Sequence, residues 1–555
     1  MLNILYNYLL GTVEDNIHAL VFPQLINGLG TQQIAYVGYP YGFSFDLVHQ
    51  NEPLFNLIFF CVSYLVRNTI ITYNLFVVVT YMLIFFSAYT FYKSFFHNKV
   101  VPLILSTIFI FNPYIAYQAR SHLALLQIWL VILFLYLYLF REFKFKVFVL
   151  GLLLTITAAA SNYLGYILII LLGVLVVSSA LVHKGINIEV RKQISTAFLI
   201  LTVAGISSLT FLYPYIKNNY IIRNTKTEVA QAGTLARPID DFVLFSSRPW
   251  YFVLPSVDNP IWGNTTRTIL DTLETKWGHY LTFNYFKSEH SSVYLGFISL
   301  LLAIAGAIST LKSSTNNKDR KMLFTLGITG VLLALLTFPP YVIISGKYIY
   351  TPSYLLYVTF PMFRVLSRFG FVITLIELIF TGYGISLIQY KISKTKLRYP
   401  VYVVITLLAI SEFFIPLKIT KVLEMPKVFR YIKDYTPEQT VIATFPYDKN
   451  TEAFFWLKDY KRNYINVPGA FAKNLASDEG LLTAKSLTPD YLVYFYKADP
   501  NSEENLKFFD TAKELKKVGV FDSDKPEIIY KGPLVQINDI GNVKDNSAIL
   551  YEFIK

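Results

Sequence analysis

The sequence predicts an α-helical polytopic membrane protein with about ten transmembrane helices, followed by a small α/β domain. Three observations carry that reading. Charged residues make up 15% of the 555-residue chain and hydrophobic ones 54%, whereas a soluble globular chain carries roughly 25% charged residues. Uncharged or nearly uncharged runs reach or approach the roughly 20 residues that a spanning helix needs. Basic residues fall in every second connection between those runs, as the positive-inside rule requires. The formal net charge of +13 is therefore loop charge, and no nucleic-acid partner is expected. A single cysteine, Cys61, excludes an intrachain disulfide and a Cys-based metal site.

The expected spans are Ile70–Tyr92, Val100–Asn112, His122–Phe140, Val147–Val182, Gln193–Ile216, Ser291–Leu311, Met322–Ser345, Phe369–Tyr390 and Tyr399–Leu417. Val147–Val182 would be about 54 Å long as one helix at 1.5 Å per residue, far beyond a hydrocarbon core of about 30 Å. Ser161, Asn162, Tyr163 and Gly165 lie near its centre, so it splits into two helices joined by a tight turn. Leu54–Val66 is too short to span and reads as an interfacial or re-entrant helix.

Orientation follows from the loops. Lys93 and Lys99; Arg141, Lys144 and Lys146; Lys184, Arg191 and Lys192; Lys312, Lys318, Arg320 and Lys321; and Lys391, Lys394, Lys396 and Arg398 belong on the cytoplasmic side. Asn112–His122, the Ser161 turn, Tyr213–His290, Gly346–Arg368 and everything after Lys418 then share the extracytoplasmic side. By the same alternation the first 68 residues are extracytoplasmic, with no complete span ahead of them. The expectation is a chain lacking a first transmembrane helix, and Met1–Leu10 carries no signal-peptide pattern. Three regions result: residues 1–68 as an extracytoplasmic loop with its interfacial helix, 69–418 as the transmembrane region including loop 213–290, and 419–555 as an extracytoplasmic α/β domain.

In that last region Val428–Asp434 and Thr511–Val518 read as helices. Thr440–Phe445, Leu534–Ile537 and Ala548–Phe553 read as strands. Phe445-Pro446-Tyr447-Asp448, Trp456 and Asn463–Asn466 set aromatics beside polar groups, which suits sugar contact but suits core packing better.

The segment from Gly11 to Pro53 concentrates ionisable side chains: Glu14, Asp15 and His18, then Asp46, His49 and Glu52 around Tyr39-Pro40-Tyr41-Gly42. Further along come Ile110-Phe111-Asn112-Pro113-Tyr114 with Ser121-His122, Ser161-Asn162-Tyr163, Glu289 ahead of Tyr294-Leu295-Gly296, and Pro361-Met362-Phe363-Arg364 with Arg368-Phe369. This series resembles the GT-C superfamily of membrane glycosyltransferases, over roughly residues 10–420. The resemblance implies an inverting enzyme that moves a hexosyl or pentosyl unit from a polyprenyl-phosphate carrier to a lipid or glycan acceptor. The work would be done at the extracytoplasmic face of the cell membrane, among membrane lipids.

It also implies the roles. Asp15 is the general base, which must accept the acceptor hydroxyl's proton. Asp46 is the supporting carboxylate, with Glu14 behind it. His18 and His49 neighbour the metal or phosphate, and His122, Glu289, Arg364 and Arg368 bind substrate. A divalent ion, Mg or Mn, is compatible with Asp15, Asp46 and His49, although no spacing demands one.

Each residue also has a plainer reading. Glu14 and Asp15 suit the first turn of a helix. His122 suits a helix end, and Glu289 with His290 an interfacial charge pair. Arg364 and Arg368, four apart, would share one helical face, where bidentate phosphate binding competes with snorkelling to headgroups. Glu377 lies near mid-bilayer in its span, where a carboxylate costs several kcal/mol unless paired or protonated. Two other function classes remain open: a polysaccharide or lipid transporter or flippase, which needs ionisable groups along a path through the spans, and an inactive scaffold of the same fold.

Overall fold

A computed structural model describes residues 8–12, 20–21, 32–34, 43–45, 52–216, 237–277, 288–312, 317–344, 346–392, 398–422, 425–446, 449–465, 474–523, 528–531, 535–540 and 546–554. The chain opens with short strands β1 (Tyr8–Leu9), β2 (Gln32–Ile34) and β3 (Phe43–Phe45). Helices follow: α1 (Pro53–Val66), α2 (Thr69–Lys93), α3 (Val100–Ile110), α4 (Pro113–Ser121), α5 (Trp129–Phe140), α6 (Lys146–Ala160), α7 (Asn162–Val182) and α8 (Ile188–Ile216). Next come α9 (Ile239–Leu244), α10 (Gly263–Trp277), α11 (Phe297–Lys312) and α12 (Asn317–Leu336). The hairpin β4 (Tyr341–Ile344) and β5 (Lys347–Tyr350) leads to α13 (Ser353–Thr359), α14 (Gly370–Ile392) and α15 (Arg398–Phe413).

The rest of the chain alternates. It runs β6 (Leu417–Val422), α16 (Lys427–Tyr435), β7 (Val441–Phe445), α17 (Asn450–Tyr460), β8 (Asn463–Tyr464), α18 (Asp478–Ser486) and β9 (Tyr491–Tyr494). It ends with α19 (Ser502–Thr511), β10 (Leu515–Phe521), β11 (Ile528–Lys531), β12 (Val535–Ile540) and β13 (Ala548–Phe553).

Among the described residues five helical stretches are long and apolar enough to cross a membrane: Thr69–Lys93, Asn162–Val182, Ile188–Leu209, His290–Leu311 and Leu366–Tyr390. The pair α3 and α4, bent by 47°, makes a sixth if taken as one span. The bend has a local cause. Asn112 caps α4 by accepting from the Tyr114 amide at 2.8 Å, and Pro113 fills the first helical position, where no amide is needed.

The chain is thus mostly helical and reads as a membrane protein, with fewer full-length spans among the described residues than the ten expected. Two differences have clear reasons. The expected span from His122 starts late, because residues 123–126 form turns and α5 begins only at Trp129. The expected span Met322–Ser345 stops at Leu336, since Pro339 and Pro340 cannot continue a helix, and Tyr341–Ile344 turns into the β4–β5 hairpin.

The run Val147–Val182 does divide at Ser161, whose backbone is extended (φ −159°, ψ 118°) between α6 and α7. A Cβ at Gly165 would lie 2.5 Å from the Ala158 Cβ, so only glycine lets the start of α7 fold against the end of α6. A second close approach joins α11 to α14. A Cβ at Gly306 would strike the Phe380 carbonyl, and one at Gly384 the Leu302 carbonyl. Small residues at such crossings are how apolar helices gain packing energy where lipid offers no hydrophobic drive.

The chain divides into two compact units. One comprises residues 78–219 and 234–416 and holds most of the apolar helices. The other comprises residues 1–77, 220–233 and 417–555. Its larger sheet has the order β10-β13-β9-β7-β8, with β7 parallel to β8 and β9, and β13 antiparallel to β9 and β10. One face packs Ala443, Phe445, Leu492, Tyr494, Phe509 and Tyr551 into a core.

Two of the expected strands in this unit appear within a residue, at Val441–Phe445 and Ala548–Phe553, and the third runs three residues further than expected, as Val535–Ile540, but Thr511–Val518 is not a helix. Glu503 and Glu504 start α19 earlier, in the first turn where acids suit the helix dipole. Leu515–Phe521 then pairs with β13. A smaller sheet of order β1-β6-β12-β11 joins the two ends of the sequence. Tyr8 and Leu9 pair with Lys421 and Thr420, and the Thr420 hydroxyl donates to the Gly11 carbonyl at 2.7 Å. Asn74, at the start of α2, accepts from the Leu10 amide at 2.8 Å and donates to the Tyr8 carbonyl at 2.7 Å.

Candidate functional site

One end of the helical unit carries α4 with its caps Asn112 and His122, the Ser161 break and the turns before α11 and α14. The 3-10 turn Ser288–Val293 is the shared floor: α4 packs on it, and so does the 3-10 turn Leu366–Phe369. Four arginines converge on this region. Arg120, Arg248 and Arg368 are each only 6% exposed, where an unpaired cation would cost several kcal/mol.

Each has an identifiable counterweight. Arg120, in α4, pairs with Asp258 at 3.1 Å, donates to the Pro416 carbonyl at 2.6 Å and lies 5.0 Å from the Tyr117 ring. The Tyr117 hydroxyl reaches Ser256 at 2.5 Å and Asp258 at 3.2 Å. Arg248 donates to the Ser246 and Val243 carbonyls at 2.9 and 3.1 Å. The Arg368 guanidinium sits over the Tyr163 ring at 4.3 Å.

Arg364, less buried, binds Asp241 at 2.6 Å and covers the Phe245 ring at 4.7 Å. Segment 239–248 is therefore the hub. It meets Arg364 through Asp241, Ser367 through the Phe245 carbonyl, and His290, whose Nε2 lies 2.8 Å from the Leu244 carbonyl. Tyr251 stacks on the His290 ring at 4.9 Å. Burial pushes the Tyr251 phenol up to about 12, against the opposing pull of Arg248, so it stays neutral at physiological pH.

The sequence-based candidates fare unequally. Asp15, Glu14, His18, Asp46 and His49 lie outside the described residues. Glu289 falls in the Ser288–Val293 turn, and its side chain is likewise outside them. His122 ends α4, its amide bonded to the Gln118 carbonyl at 2.9 Å. Arg364 and Arg368 do belong to this region but share no helical face. Residues 361–365 are irregular and Leu366–Phe369 is a 3-10 turn, so one arginine reaches Asp241 and the other Tyr163. His290 is buried and stacked on Tyr251, while the Glu289 half of the expected charge pair lies outside the described residues.

Sequence reasoning missed Arg120, Arg248, Asp241 and Asp258. Arg120 adjoins the Ser121-His122 motif and could have been singled out there. The aspartates sit in a long polar loop with no periodicity to mark them.

Glu377, only 8% exposed, lies on the α14 face with Ile373, Ile376 and Phe380, lining an apolar cavity of about 530 Å³ against α11 and α12. Its Oε1 accepts from the Thr381 hydroxyl at 2.8 Å. Glu412, late in α15, has a structural job: its carboxylate accepts from the Ile298 amide at 3.0 Å and caps α11. No group of three or more His, Cys, Asp or Glu side chains suited to a metal occurs among the described residues.

Residues 31–410 match the family model described as Domain of unknown function (DUF6311). The chain belongs to this family. Among curated proteins nothing matches it. The DUF6311 match takes in Arg120, Asp241, Arg248, Asp258, Arg364 and Arg368, together with Asp46, His49, His122 and Glu289. Glu14, Asp15 and His18 precede it, and the strands from β6 onward follow it.

Proposed function

We propose that this protein is a GT-C-type membrane glycosyltransferase of the cell membrane. In this reading it moves a sugar from a polyprenyl-phosphate carrier to an envelope acceptor, a lipid or a glycan, on the extracytoplasmic side. The observation that carries the reading is the convergence of Arg120, Arg248, Arg364 and Arg368 at one end of an apolar helical unit. A lipid-linked phosphate needs such a place: apolar surroundings for the chain and guanidinium donors for the phosphate oxygens.

In the proposed step the acceptor oxygen attacks the anomeric carbon. The bond from that carbon to the carrier phosphate breaks, and its electron pair leaves on the phosphate oxygen, giving inversion. Asp15 takes the hydroxyl proton, with Asp46 as its supporting carboxylate. Arginine donors hold the phosphate as its charge develops, the kind of stabilisation that contributes most in a water-poor site. A divalent ion held by Asp15, Asp46 and His49 would add positive charge beside the same phosphate.

One observation favours a lipid transporter instead: the 530 Å³ apolar cavity with Glu377 in its wall, since transport needs an ionisable group along the path. Incubating purified protein with synthetic polyprenyl-phosphate sugars and acceptor lipids tests the transferase reading. Sugar transfer supports it. Lipid uptake by proteoliposomes in the absence of any transfer supports the transporter.

A further inference from the structure

Helix α7 has Tyr163 at the arginine-bearing end and His183 at the other, about 30 Å away at 1.5 Å per residue. Around His183 lies a separate cavity of about 640 Å³, walled by the end of α5, the start of α6, the end of α7 and the starts of α8 and α12. Its polar lining includes Lys146, Lys192, Lys321, Ser179, Thr196 and Thr325, and Leu139, Leu175 and Leu326 continue it as apolar surface.

The acids here are already engaged. Glu142 pairs with Lys146 at 2.9 Å, and Glu189 with His183 at 2.7 Å. Both carboxylates are largely exposed, at 89% and 69%, so water weakens their hold on the cavity's charge. Lys192 and Lys321, on different helices, have no acidic partner within ion-pair distance among the described residues. Two cations lining one cavity repel each other, and an anion between them relieves that repulsion. Hydroxyls from Ser179, Thr196 and Thr325 supply further donors. The apolar continuation argues against a fully water-borne anion, and the cavity is lined by the basic ends of apolar helices, the pattern that meets anionic headgroups.

We propose that this cavity binds the phosphate group of an anionic membrane phospholipid, with Lys192 and Lys321 as its charged donors and the leucine surface receiving the start of the acyl chains. The site is independent of the transferase reading, because it shares no residue with the arginine-bearing end.

The test is thermal unfolding of the full-length protein in neutral detergent supplemented with phosphatidylglycerol, with phosphatidylcholine, or with inorganic phosphate. Phosphatidylglycerol is expected to raise the melting temperature, and the other two are not. K192Q/K321Q should melt like wild type in phosphatidylcholine and lose most of the phosphatidylglycerol shift, with retention of that lipid about fivefold weaker per lysine replaced. K192R/K321R, which keeps both charges, should keep the shift. An equal shift with phosphatidylcholine, or a phosphatidylglycerol shift that survives K192Q/K321Q, overturns the proposal. A shift with inorganic phosphate as large as that with phosphatidylglycerol overturns the assignment to lipid.

Discussion

Arg120 and Asp258, 138 residues apart in the sequence, meet at 3.1 Å and tie α4 to the loop ahead of α10. Arg120 is nearly fully buried, while Asp258 keeps about a third of its side-chain surface. Removing the acid takes an ionic partner away from a buried cation. D258A is therefore expected to cost about 1–3 kcal/mol, read as a lower melting temperature in detergent. R120M/D258A should recover part of that loss, because an apolar pair removes the desolvation cost altogether. A double variant no better than D258A would show that the pair is not the source of the cost.

The α11–α14 crossing makes a sharper mechanical claim. Gly306 lies against the Phe380 carbonyl with no room for a Cβ, so G306A must push the helices apart. Overpacking of this kind costs about 1–3 kcal/mol, and the variant should melt well below wild type. Gly205, beside open space in α8, is the control. G205A should match or slightly exceed wild type, because alanine is the better helix former.

Arg368 lies over the Tyr163 ring, and if it meets the carrier phosphate its loss should fall on transfer and not on folding. R368Q is expected to lower kcat/KM for the phosphate-linked donor roughly tenfold to hundredfold, a loss of about 1.4–2.7 kcal/mol. R368K should do less harm but not be neutral, since lysine lacks the planar donor fork. Unchanged transfer in a well-folded R368Q would remove this arginine from the site.

Lys458, in α17, has its pKa lowered because burial penalises its charge, with Asp459 opposing. Between the folded and unfolded values the unfolded chain binds more protons, so stability rises with pH there. The cost of burying this ammonium is fully present below the folded value and fades as pH approaches the unfolded value of about 10.4. K458M should raise the melting temperature at neutral pH, by less than D258A lowers it, and the gain should shrink in alkaline buffer. A gain independent of pH would point to packing, and no gain at all to an ammonium that reaches water.

What the sequence revealed, and what it hid, follows the range of the interactions. The break at Ser161 was legible because membrane thickness limits helix length and small polar residues stood at the right place. Residues 441–445 and 548–553 were legible because strand residues cluster locally. The β4–β5 hairpin was not, since its Tyr-Val-Ile-Ile strand is as apolar as a helix end and only Pro339-Pro340 separates it from the helical run. The arginine-bearing end was half legible. Arg364 and Arg368 were visible as cations at a span boundary, but their partners Asp241 and Tyr163 lie 123 and more than 200 residues away. No spacing rule reaches that far. Pairing of Tyr8 and Leu9 with β6 is longer-range still, and it holds the segment just ahead of Glu14 and Asp15 in the sequence beside the strand that follows α15.

The most direct test concerns Asp15. Purified full-length protein, reconstituted with a panel of synthetic polyprenyl-phosphate sugars and a total envelope-lipid acceptor, is assayed for transfer of labelled sugar with and without D15N. The account expects transfer by wild type from at least one donor and near-complete loss in D15N, with the melting temperature unchanged. Transfer that persists in D15N, or its absence with every donor while proteoliposomes take up lipid, would contradict it.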